Sequence, residues 1–417
     1  KGKVVSSSLT TPTRRKMMNI RKQFPILNKK LPSGKDLIYL DSANSSQKPQ
    51  RVIDRMTRFM LEEYSSIGRS IHELSNNATM AVENSRKAVA EFINAREPDE
   101  IVFTKSATES INMISTAFGR TMKPGDEIIT TEIEHHSNYV PWHMLRKFNG
   151  AVIKFLKMNE QHQIDINDLE SLITDKTKII AITHLSNTTG QIMDIKRVCE
   201  IAHKHNIVVA VDGTQGAPHM RVDVQDLDCD FYAMSGHKMY GPSGIGVMYG
   251  KGIWIDGLDP ALGGGGMIES VEHEDIEFAS GCKKWEAGTL AVTEIVGLHE
   301  ALKFYKNSGY DLMIQHEKQL IDYAYNELGK IKGIKFIGSD VRSAVISFNI
   351  EGIHHQDLAM FLDTYGIAVR PGHHCTQMLH RQIGWSGSVR ISTGAYNTIQ
   401  EIDYLVDSIK EIQKKFS

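Results

Sequence analysis

Cysteine is scarce in this 417-residue sequence, and the scarcity excludes a disulfide-stabilised secreted scaffold. With only four cysteines, we expect a reducing compartment. Long apolar runs are also lacking, since no stretch approaches the roughly 18 consecutive apolar residues of a membrane span. The net charge of -2, from 48 Lys and Arg against 50 Asp and Glu, lacks the basic excess that is typical of nucleic-acid binding. We therefore expect neither a membrane nor a nucleic acid as a partner.

Acidic residues are absent from the first 35 positions, which carry ten basic residues and several Ser/Thr-rich stretches. This composition is typical of an organelle transit segment, and a flexible tail of another origin is the alternative. Residues 1–17 also lack apolar periodicity. We therefore expect residues 1–17 to be a disordered leader or transit remnant.

From residue 36 onward, short runs that are apolar at nearly every position alternate with longer amphipathic stretches. Runs of this kind are expected of strands that helices cover on both faces. The pattern predicts a doubly wound α/β domain over residues 36–302. The predicted strands cover residues 101–103, 127–129, 178–182, 207–211 and 231–233. Each run ends in polar residues, so we expect the five ends to meet at one cleft.

The pattern changes to α+β after about residue 302, which predicts a second, smaller domain. Alternating apolar residues from Ile346 to Ile350 are typical of a half-buried strand, and an amphipathic helix closes the chain. Apolar neighbours flank Arg390, which turns its guanidinium away from that strand's apolar face and leaves it free to meet an anion. We expect residues 18–35 and 303–417 to form this domain.

Neither a Rossmann nor a P-loop phosphate motif is present, and the glycine run at 263–266 is interpreted as a flexible loop. A better anion site begins at Ser106, between a predicted strand and a predicted helix. Ser106 and Glu109 have the spacing of a capping box, in which each side chain bonds the other residue's amide. The amides of Ala107 and Thr108 would then point outward at the positive end of the helix dipole, where a phosphate binds well. A capped helix without a ligand is the alternative.

Asp212 directly follows an apolar run, and a buried carboxylate at that place needs a cation or several donors. Lys238 follows the next run, and a lysine in a dry cleft becomes a usable nucleophile or base. A salt-bridged Asp212 and a solvated Lys238 are the structural alternatives. Pyridoxal phosphate needs a lysine for its Schiff base, a carboxylate for its pyridine nitrogen and an anion site for its phosphate. Together the three features predict a pyridoxal 5'-phosphate site.

Several motifs occur in a fixed order around these residues. The longer ones are Asp212-Gly-Thr-Gln215, Ser235-Gly-His-Lys238-Met-Tyr-Gly-Pro242 and Arg370-Pro-Gly-His-His-Cys375. The shorter ones are Tyr39-Leu-Asp-Ser-Ala43, Glu134-His-His136, Thr183-His-Leu-Ser-Asn187 and Glu286-Ala-Gly-Thr289. This ordered set resembles the class V aminotransferase family, and within that family it is similar to the Suf-type (group II) cysteine desulfurases.

The resemblance implies a fold and an activity. The fold is the PLP-dependent transferase fold type I, with a mainly parallel seven-stranded sheet, helices on both faces and a small α+β C-terminal domain. The activity is the conversion of L-cysteine to L-alanine with a persulfide on Cys375, which delivers sulfur for iron–sulfur cluster assembly in the Suf pathway. The resemblance also implies a homodimer and a small sulfur-acceptor protein of the SufE or SufU type.

The same fold also allows other activities, and the compartment has two interpretations. A selenocysteine lyase or a kynureninase-like lyase would not need Cys375, and a non-catalytic binding protein would not need Lys238. The basic first segment predicts the stroma of a plastid-type organelle, a chloroplast or an apicoplast. The bacterial cytoplasm is the alternative.

The resemblance also implies which residues surround the cofactor ring. Lys238 would form the Schiff base and then move the Cα proton of the substrate. Asp212 would pair with the pyridine nitrogen, and Gln215 with the ring hydroxyl. His135, which we prefer over His136, would stack on the ring face.

Further roles follow for the phosphate and for the substrate carboxylate. Thr289 would complete the phosphate site from the neighbouring subunit, which implies the homodimer. Asn187 and Arg390 would receive the substrate carboxylate, Arg390 as a two-pronged clamp. Within one subunit, the phosphate would be held by Thr108, Ser235, His237 and helix-start amides such as that of Ala107.

Cys375 is the sulfur carrier that the resemblance implies, because its thiolate would attack the substrate sulfur. We expect no metal, since zinc at His373, His374 and Cys375 would need a geometry that adjacent residues rarely share. The other three cysteines are interpreted as structural, and a relay role is the alternative for Cys282. Three places depart from the commonest family pattern. Thr376 stands where alanine often follows the cysteine, and Pro371 where a threonine is common. Lys105-Ser106-Ala107 stands where the phosphate loop usually reads Arg-Gly-Thr, so Ala107 offers the phosphate only its amide.

Overall fold

The computed structural model describes residues 11–68, 70–338 and 342–416. These segments form the strands β1 (Ile38–Tyr39), β2 (Ile101–Thr104), β3 (Glu127–Thr131), β4 (Val152–Leu156), β5 (Thr177–Thr183), β6 (Val208–Asp212), β7 (Phe231–Ser235), β8 (Gly246–Gly250), β9 (Ile268–Val271), β10 (Ile276–Phe278), β11 (Ile334–Ile337), β12 (Val345–Ile350), β13 (Ile367–Ala368), β14 (Arg370–Gly372) and β15 (Ser388–Ser392). They also form the helices α1 (Thr11–Arg21), α2 (Gln50–Arg58), α3 (Glu73–Ile93), α4 (Ala107–Gly119), α5 (Val140–Phe148), α6 (Leu169–Leu172), α7 (Ile195–Lys204), α8 (Gly216–His219), α9 (Val224–Leu227), α10 (Gly252–Gly257), α11 (Val292–Ser308), α12 (Tyr310–Leu328), α13 (His355–Thr364), α14 (Gln377–Gln382) and α15 (Ile399–Phe416). No helix in the described segments is long and apolar enough to cross a membrane.

Seven strands form the central sheet in the order β2-β8-β7-β6-β5-β3-β4. The strands from β7 to β4 pair in parallel, and β8 runs antiparallel to both of its neighbours. The five strands predicted from apolar runs are β2, β3, β5, β6 and β7. The predicted α/β architecture, with a mainly parallel seven-stranded sheet, is therefore confirmed.

Successive residues of the sheet strands enter two different hydrophobic clusters, one on each face. In β6, Val209 and Val211 pack in a cluster with α3, α7 and α11. Val208 and Ala210 pack in the other cluster, with α4 and α5. Both faces of the strand are thus covered by helices, which explains why the run is apolar at every position.

A second sheet, in the order β11-β12-β15-β14, packs against α12, α13 and α15. Ile346, Phe348 and Ile350 of β12 face this smaller core, as their alternation predicts. The prediction that β12 is only half-buried is wrong. Ser347, on the opposite side, is fully buried, and its Oγ donates to the carbonyl of Thr188 at 2.7 Å. The polar side of the small sheet therefore lies against the loop that follows β5.

The segment expected to be a disordered leader contains a helix. Residues 11–17 belong to α1, so the prediction is wrong for them, and residues 1–10 lie outside the described part of the chain. Met17 and Ile20, three residues apart, are buried on one side of α1. This buried face stabilises the helix, although the basic composition did not indicate it.

The expected division into two domains stays a prediction, but three elements cross its expected limits. Position 302 falls inside α11, which continues to Ser308. The strand β1, expected in the larger domain, pairs with β13. Phe24, expected in the smaller domain, packs against Tyr240 and Tyr396, with ring centroids 5.6 and 4.8 Å away. The segment around Phe24 therefore contacts both parts of the molecule.

A buried ion pair holds the edge strand β2 in place. Arg86 of α3 donates to Glu286 twice, from Nη1 to Oε1 at 2.8 Å and from Nη2 to Oε2 at 2.9 Å. Arg86 also donates to the carbonyl of Ile101 at 2.6 Å, and the amide of Phe103 donates to Glu286 at 2.7 Å. The pair thus fixes the strand that leads into α4.

Removing the arginine of this pair should destabilise the fold. The substitution Arg86→Met should lower the free energy of unfolding by about 3–5 kcal/mol, because Glu286 would be left buried without a counter-charge. Urea unfolding followed by circular dichroism measures the change. The double variant Arg86→Met/Glu286→Gln should recover part of the loss. A loss below about 1 kcal/mol, the size expected of an exposed pair, would contradict the assignment.

Candidate active site

The predicted strand ends converge on one cavity of about 190 Å³. The cavity lies at the carboxyl ends of β5, β6 and β7 and at the start of α4. Ten of the predicted site residues line it, namely Ala107, Thr108, His135, Asn187, Asp212, Gln215, Ser235, His237, Lys238 and Cys375. Arg390 and Thr289 do not belong to the lining.

Lys238 ends a short 3-10 helix, Gly236–Lys238, that begins where β7 ends. Burial lowers the pKa of its amine to about 8, and the guanidinium of Arg390 acts in the same direction. Asp212, at the end of the adjacent strand β6, acts in the opposite direction. A large share of Lys238 is therefore neutral near pH 8, and the neutral amine is the form that bonds covalently to an aldehyde.

Asp212 and Gln215 present hydrogen-bond acceptors at the cavity. Asp212 is 4% exposed, and its Oδ1 accepts from the amide of Thr214 at 3.0 Å. Gln215 donates from Nε2 to the carbonyl of Ala43 at 2.7 Å, and its buried Oε1 has no hydrogen-bond partner among the described residues. A buried carboxylate beside an orphaned acceptor fits a ligand with a cationic ring nitrogen and a hydroxyl group, as pyridoxal phosphate has.

The start of α4 has one half of the predicted capping box. Ser106 Oγ accepts from the amide of Glu109 at 3.2 Å, as predicted. The reciprocal half is wrong, because Glu109 Oε2 accepts from the amide of Lys105 at 2.5 Å instead of that of Ser106. Gly246 of β8 lies directly against Ser106, where an added Cβ would come within 2.4 Å of the Ser106 carbonyl carbon.

Donors surround this helix start. The amide of Ala107 donates to Ser235 Oγ at 2.9 Å, and Thr108 Oγ1 lies 2.7 Å from Ser137 Oγ. His237 lines the same cavity, and burial lowers its pKa to about 4, so its ring is neutral near pH 7 and has one N–H to donate. Amide, hydroxyl and imidazole donors at the first turn of a helix fit a phosphate group.

The two adjacent histidines after β3 occupy different places. His135 lines the cavity, and its Nδ1 accepts from the amide of Ser137 at 3.1 Å. His136 lines another cavity, and its Nε2 accepts from the amide of Gln377 at 3.2 Å. Burial holds the pKa of His135 well below its usual range, so its ring is neutral and suited to stacking. Only His135 is therefore placed to contact a ring in the Lys238 cavity.

Cys375 stands on a loop with two consecutive left-handed residues. His374 and Cys375 have φ of 52° and 60°, a conformation that residues with side chains adopt rarely. The carbonyl of Cys375 accepts from the amide of His136 at 2.7 Å, and Asn187 Nδ2 donates to the carbonyl of His374 at 2.7 Å. These bonds help to hold Cys375 at the cavity that Lys238 also lines.

Arg370 belongs to a predicted motif but had no predicted role. Its Nη2 donates to Cys375 Sγ at 3.3 Å, and its Nη1 donates to Asn44 Oδ1 at 3.1 Å. All three residues line the cavity. A guanidinium at this distance gives the sulfur a charged hydrogen-bond donor. The sequence feature that could have indicated this contact is the position of Arg370, five residues before Cys375.

Arg390 lies fully buried beside Asn187. Its Nη1 donates to the Asn187 carbonyl at 3.0 Å, and its Nη2 donates to Asp41 Oδ1 at 3.3 Å. Its buried Nε has no hydrogen-bond partner among the described residues. The prediction that Arg390 faces away from the apolar side of its strand is confirmed, because it pairs in register with Ser347. Burial lowers the pKa of Arg390 to about 10, so the guanidinium stays charged at pH 7.

The remaining predicted residues lie apart from the cavity. Thr289 is exposed before α11, so its predicted contact with a neighbouring subunit stays a prediction. Cys199, Cys229 and Cys282 are buried, and burial raises the pKa of each thiol, that of Cys282 to about 12. Their burial agrees with a structural role.

Comparison with known proteins points in one direction. The class-V aminotransferase family model matches residues 38–405. A probable cysteine desulfurase of Staphylococcus epidermidis is 43% identical over 399 residues, which are 95% of this chain and 96% of that protein. The structure of the cysteine desulfurase CsdA of Escherichia coli, in an S-sulfonic acid form, is 37% identical with a TM-score of 0.88, over 96% of this chain and 99% of that one. The apo cysteine desulfurase of Thermococcus onnurineus is 33% identical with a TM-score of 0.90, over 95% and 98%.

The lowered pKa of Lys238 predicts the pH at which the free protein captures pyridoxal phosphate. The rate of attachment should rise with pH and level off above about 8, because only the neutral amine reacts. Borohydride trapping at a series of pH values, followed by peptide mapping of the labelled lysine, measures this rate. Lys238→Arg is the matched control and should show no attachment. A midpoint near the ordinary lysine value of 10.5 would contradict the assignment.

Proposed function

Because the chain belongs to the class-V aminotransferase family, we propose that this cavity is the active site of its pyridoxal-phosphate-dependent cysteine desulfurase reaction. The enzyme is a transferase, its cofactor is pyridoxal phosphate, and its substrate is L-cysteine, which becomes L-alanine. The observation that carries the assignment of the site is that Lys238, Asp212 and Cys375 line one cavity. An amine, a carboxylate and a thiol are the three reactive groups that the reaction needs.

The residues around the cavity divide between the ring and the phosphate. When bound, pyridoxal phosphate supplies an electron sink for charge that develops on the substrate. Asp212 would keep the ring nitrogen protonated, and Gln215 would accept from the ring hydroxyl through its orphaned Oε1. His135 would stack on the ring. The phosphate would be held by Thr108, Ser235 and His237, and by the amide of Ala107 in exchange for its present bond to Ser235 Oγ.

Lys238 is the proton carrier of the site. Its pKa of about 8 lets the neutral amine take the Cα proton of the substrate and later return a proton to a product carbon. The buried Arg390 helps to keep the pKa of this amine low. The same arginine would bind the substrate carboxylate together with Asn187, through the Nε that has no partner in the described residues or by exchange of its present bonds.

Cys375 receives the sulfur. Its thiolate attacks the sulfur of the substrate, so an S–S bond forms while the carbon–sulfur bond of the substrate breaks. The electron pair of the broken bond stays on the carbon, which takes up a proton and becomes the methyl group of alanine. The two sulfur atoms are oxidised to a persulfide as the carbon is reduced, so the step needs no external oxidant. Arg370 Nη2, 3.3 Å from Sγ, donates a hydrogen bond to the attacking sulfur.

The homodimer is part of the proposal. In it, Thr289 would complete the phosphate site of the partner copy. Two observations support it. Thr289 is exposed outside the cavity of its own subunit, and the large apolar side chains Met60, Leu61, Ile71 and Met80 are exposed.

The persulfide on Cys375 would pass to a small acceptor of the SufE or SufU type for iron–sulfur cluster assembly in the Suf pathway. The ordered motifs of the group II desulfurases support this assignment, and Cys375 is the most exposed of the four cysteines. For the compartment, we propose the stroma of a plastid-type organelle, with the bacterial cytoplasm as the alternative. The acid-free basic composition of the first 35 residues supports the organelle.

Removing the thiol tests its role. In Cys375→Ala, sulfide release and alanine formation from L-cysteine should be abolished, because no nucleophile remains to take the sulfur. The measurement is alanine and sulfide after incubation with L-cysteine, with cofactor absorbance as the check on loading. Cys282→Ala is the matched control and should keep full turnover. Undiminished turnover of Cys375→Ala would instead favour a selenocysteine lyase or a kynureninase-like lyase.

Replacing the guanidinium of Arg390 with an amine tests its proposed role in binding the substrate carboxylate. In Arg390→Lys, the KM for L-cysteine should rise about 10- to 100-fold, because a charge-assisted hydrogen bond to the carboxylate is lost. Steady-state kinetics separates this rise from a change in kcat. The exposed Arg221→Lys serves as the control and should leave both constants unchanged. A KM within about twofold of the original would reject the role of Arg390.

A further inference from the structure

A chain of hydrogen bonds surrounds the cysteine loop on its buried side. His374 Nε2 lies 2.9 Å from Ser388 Oγ, and His380 Nε2 lies 3.1 Å from the same oxygen. His380 Nδ1 lies 3.0 Å from the carbonyl of Thr376. All four residues are at most 1% exposed. The two ends of this chain are therefore attached to residues 374 and 376, on either side of Cys375.

The donors and acceptors of the chain allow one arrangement of protons for neutral rings. A carbonyl only accepts, so His380 Nδ1 carries the hydrogen that meets Thr376. Nε2 of a neutral His380 is then an acceptor, and Ser388 Oγ must donate to it. Since Ser388 has a single hydrogen, it accepts from His374 Nε2–H. This arrangement leaves His374 Nδ1 as a bare acceptor, and Nδ1 indeed has no hydrogen-bond partner among the described residues.

The chain has a mechanical consequence for the sulfur carrier. His374 and Cys375 both have left-handed φ values, so the loop needs external bonds to keep its shape. Ser388 belongs to β15, the strand that also carries Arg390. Thr376, which departs from the family's usual alanine, adds a contact of 2.9 Å between its Oγ1 and Thr188 Oγ1. The loop is thereby tied to the strand of the substrate-binding arginine.

From this geometry we propose that Ser388 and His380 are positioning residues of the sulfur-transfer step. They act through His374 and Thr376 and hold Cys375 at the cavity in the conformation that attacks the substrate sulfur. This inference rests on the proposed desulfurase function. Among the described residues, no hydrogen bond joins Lys238 or Asp212 to this chain, and Asp212 bonds the amide of Thr214 instead. The proton transfers at Lys238 should therefore not depend on the chain.

The chain works only while its histidines are neutral. A protonated His380 would turn Nε2 into a donor, so Ser388 Oγ would face two N–H groups and its own hydrogen would lose its acceptor. The charged or titratable groups that face His374 are Arg390, Arg370 and His380, and those that face His380 are His374, His373 and His355. Burial is the main cause that lowers the pKa of both rings. The two arginines and His380 add to this effect at His374, and His373 and His355 add to it at His380. Acid therefore breaks the chain, and neutral pH preserves it.

The test is the rate of persulfide formation in a single turnover of the holoenzyme, measured by rapid quench and mass spectrometry. Ser388→Ala should slow it about 10- to 100-fold, because a misplacement of about 1 Å has that effect on an attacking group. The absorbance change of the cofactor on mixing with L-cysteine should keep its rate. Ser388→Thr retains the hydroxyl and should restore persulfide formation. Ser408→Ala, at a buried serine of α15, is the matched control for loss of a buried hydroxyl.

The pH profile distinguishes this role from a general loss of stability. In the wild type, the persulfide rate should fall at acid pH as His380 becomes protonated and the chain breaks. In Ser388→Ala the chain is already broken, so this acid limb should be absent. Unchanged rates and an unchanged acid limb in Ser388→Ala would overturn the proposal. If that variant does not fold, His380→Gln takes its place in the test. The proposal then expects a slower persulfide rate with an unchanged rate of the cofactor absorbance change. A wild-type enzyme that forms no persulfide would instead reject the proposed function itself.

Discussion

The enclosure of Lys238 beside Asp212 is the constraint on which the rest of the site depends. The two residues follow neighbouring parallel strands, β7 and β6, whose register pairs Asp212 with Ala233. The sheet thus places an amine and a carboxylate at one cavity, and burial then makes the amine reactive by lowering its pKa. Arg390 strengthens this effect from the small sheet, while Asp212 opposes it. The amine is consequently neutral at a pH where the carboxylate remains available to a cationic ring.

The sulfur carrier comes from a different part of the chain and must be brought to that amine. Two left-handed residues in a row cost about 1–3 kcal/mol each, so the loop persists only because its surroundings hold it. Asn187 and His136 bind its carbonyls from the central sheet, and Arg370 binds the sulfur itself. The polar side of the small sheet, including Ser347, is buried against the loop that follows β5 of the central sheet. The contacts that pack the two sheets together therefore also place the thiol of Cys375.

Features that depend only on the residues of one strand could be predicted from the sequence. A strand covered on both faces is apolar throughout, as β6 is, and its polar end marks the cleft. The strand β8 was not predicted, because its short run between glycines has no such signal. Contacts between residues far apart in the sequence, such as that of Ser347 with Thr188, could not be predicted either. Most of the site could be named because its residues end predicted strands or stand in ordered motifs.

A crystal structure of the protein with pyridoxal phosphate measures the central juxtaposition most directly. The expected result is density that joins the cofactor to Lys238 Nζ, with a carboxylate oxygen of Asp212 about 3 Å from the ring nitrogen and Cys375 Sγ facing the ring. A cofactor attached to another lysine, or an Asp212 carboxylate turned away from the ring nitrogen, would contradict it.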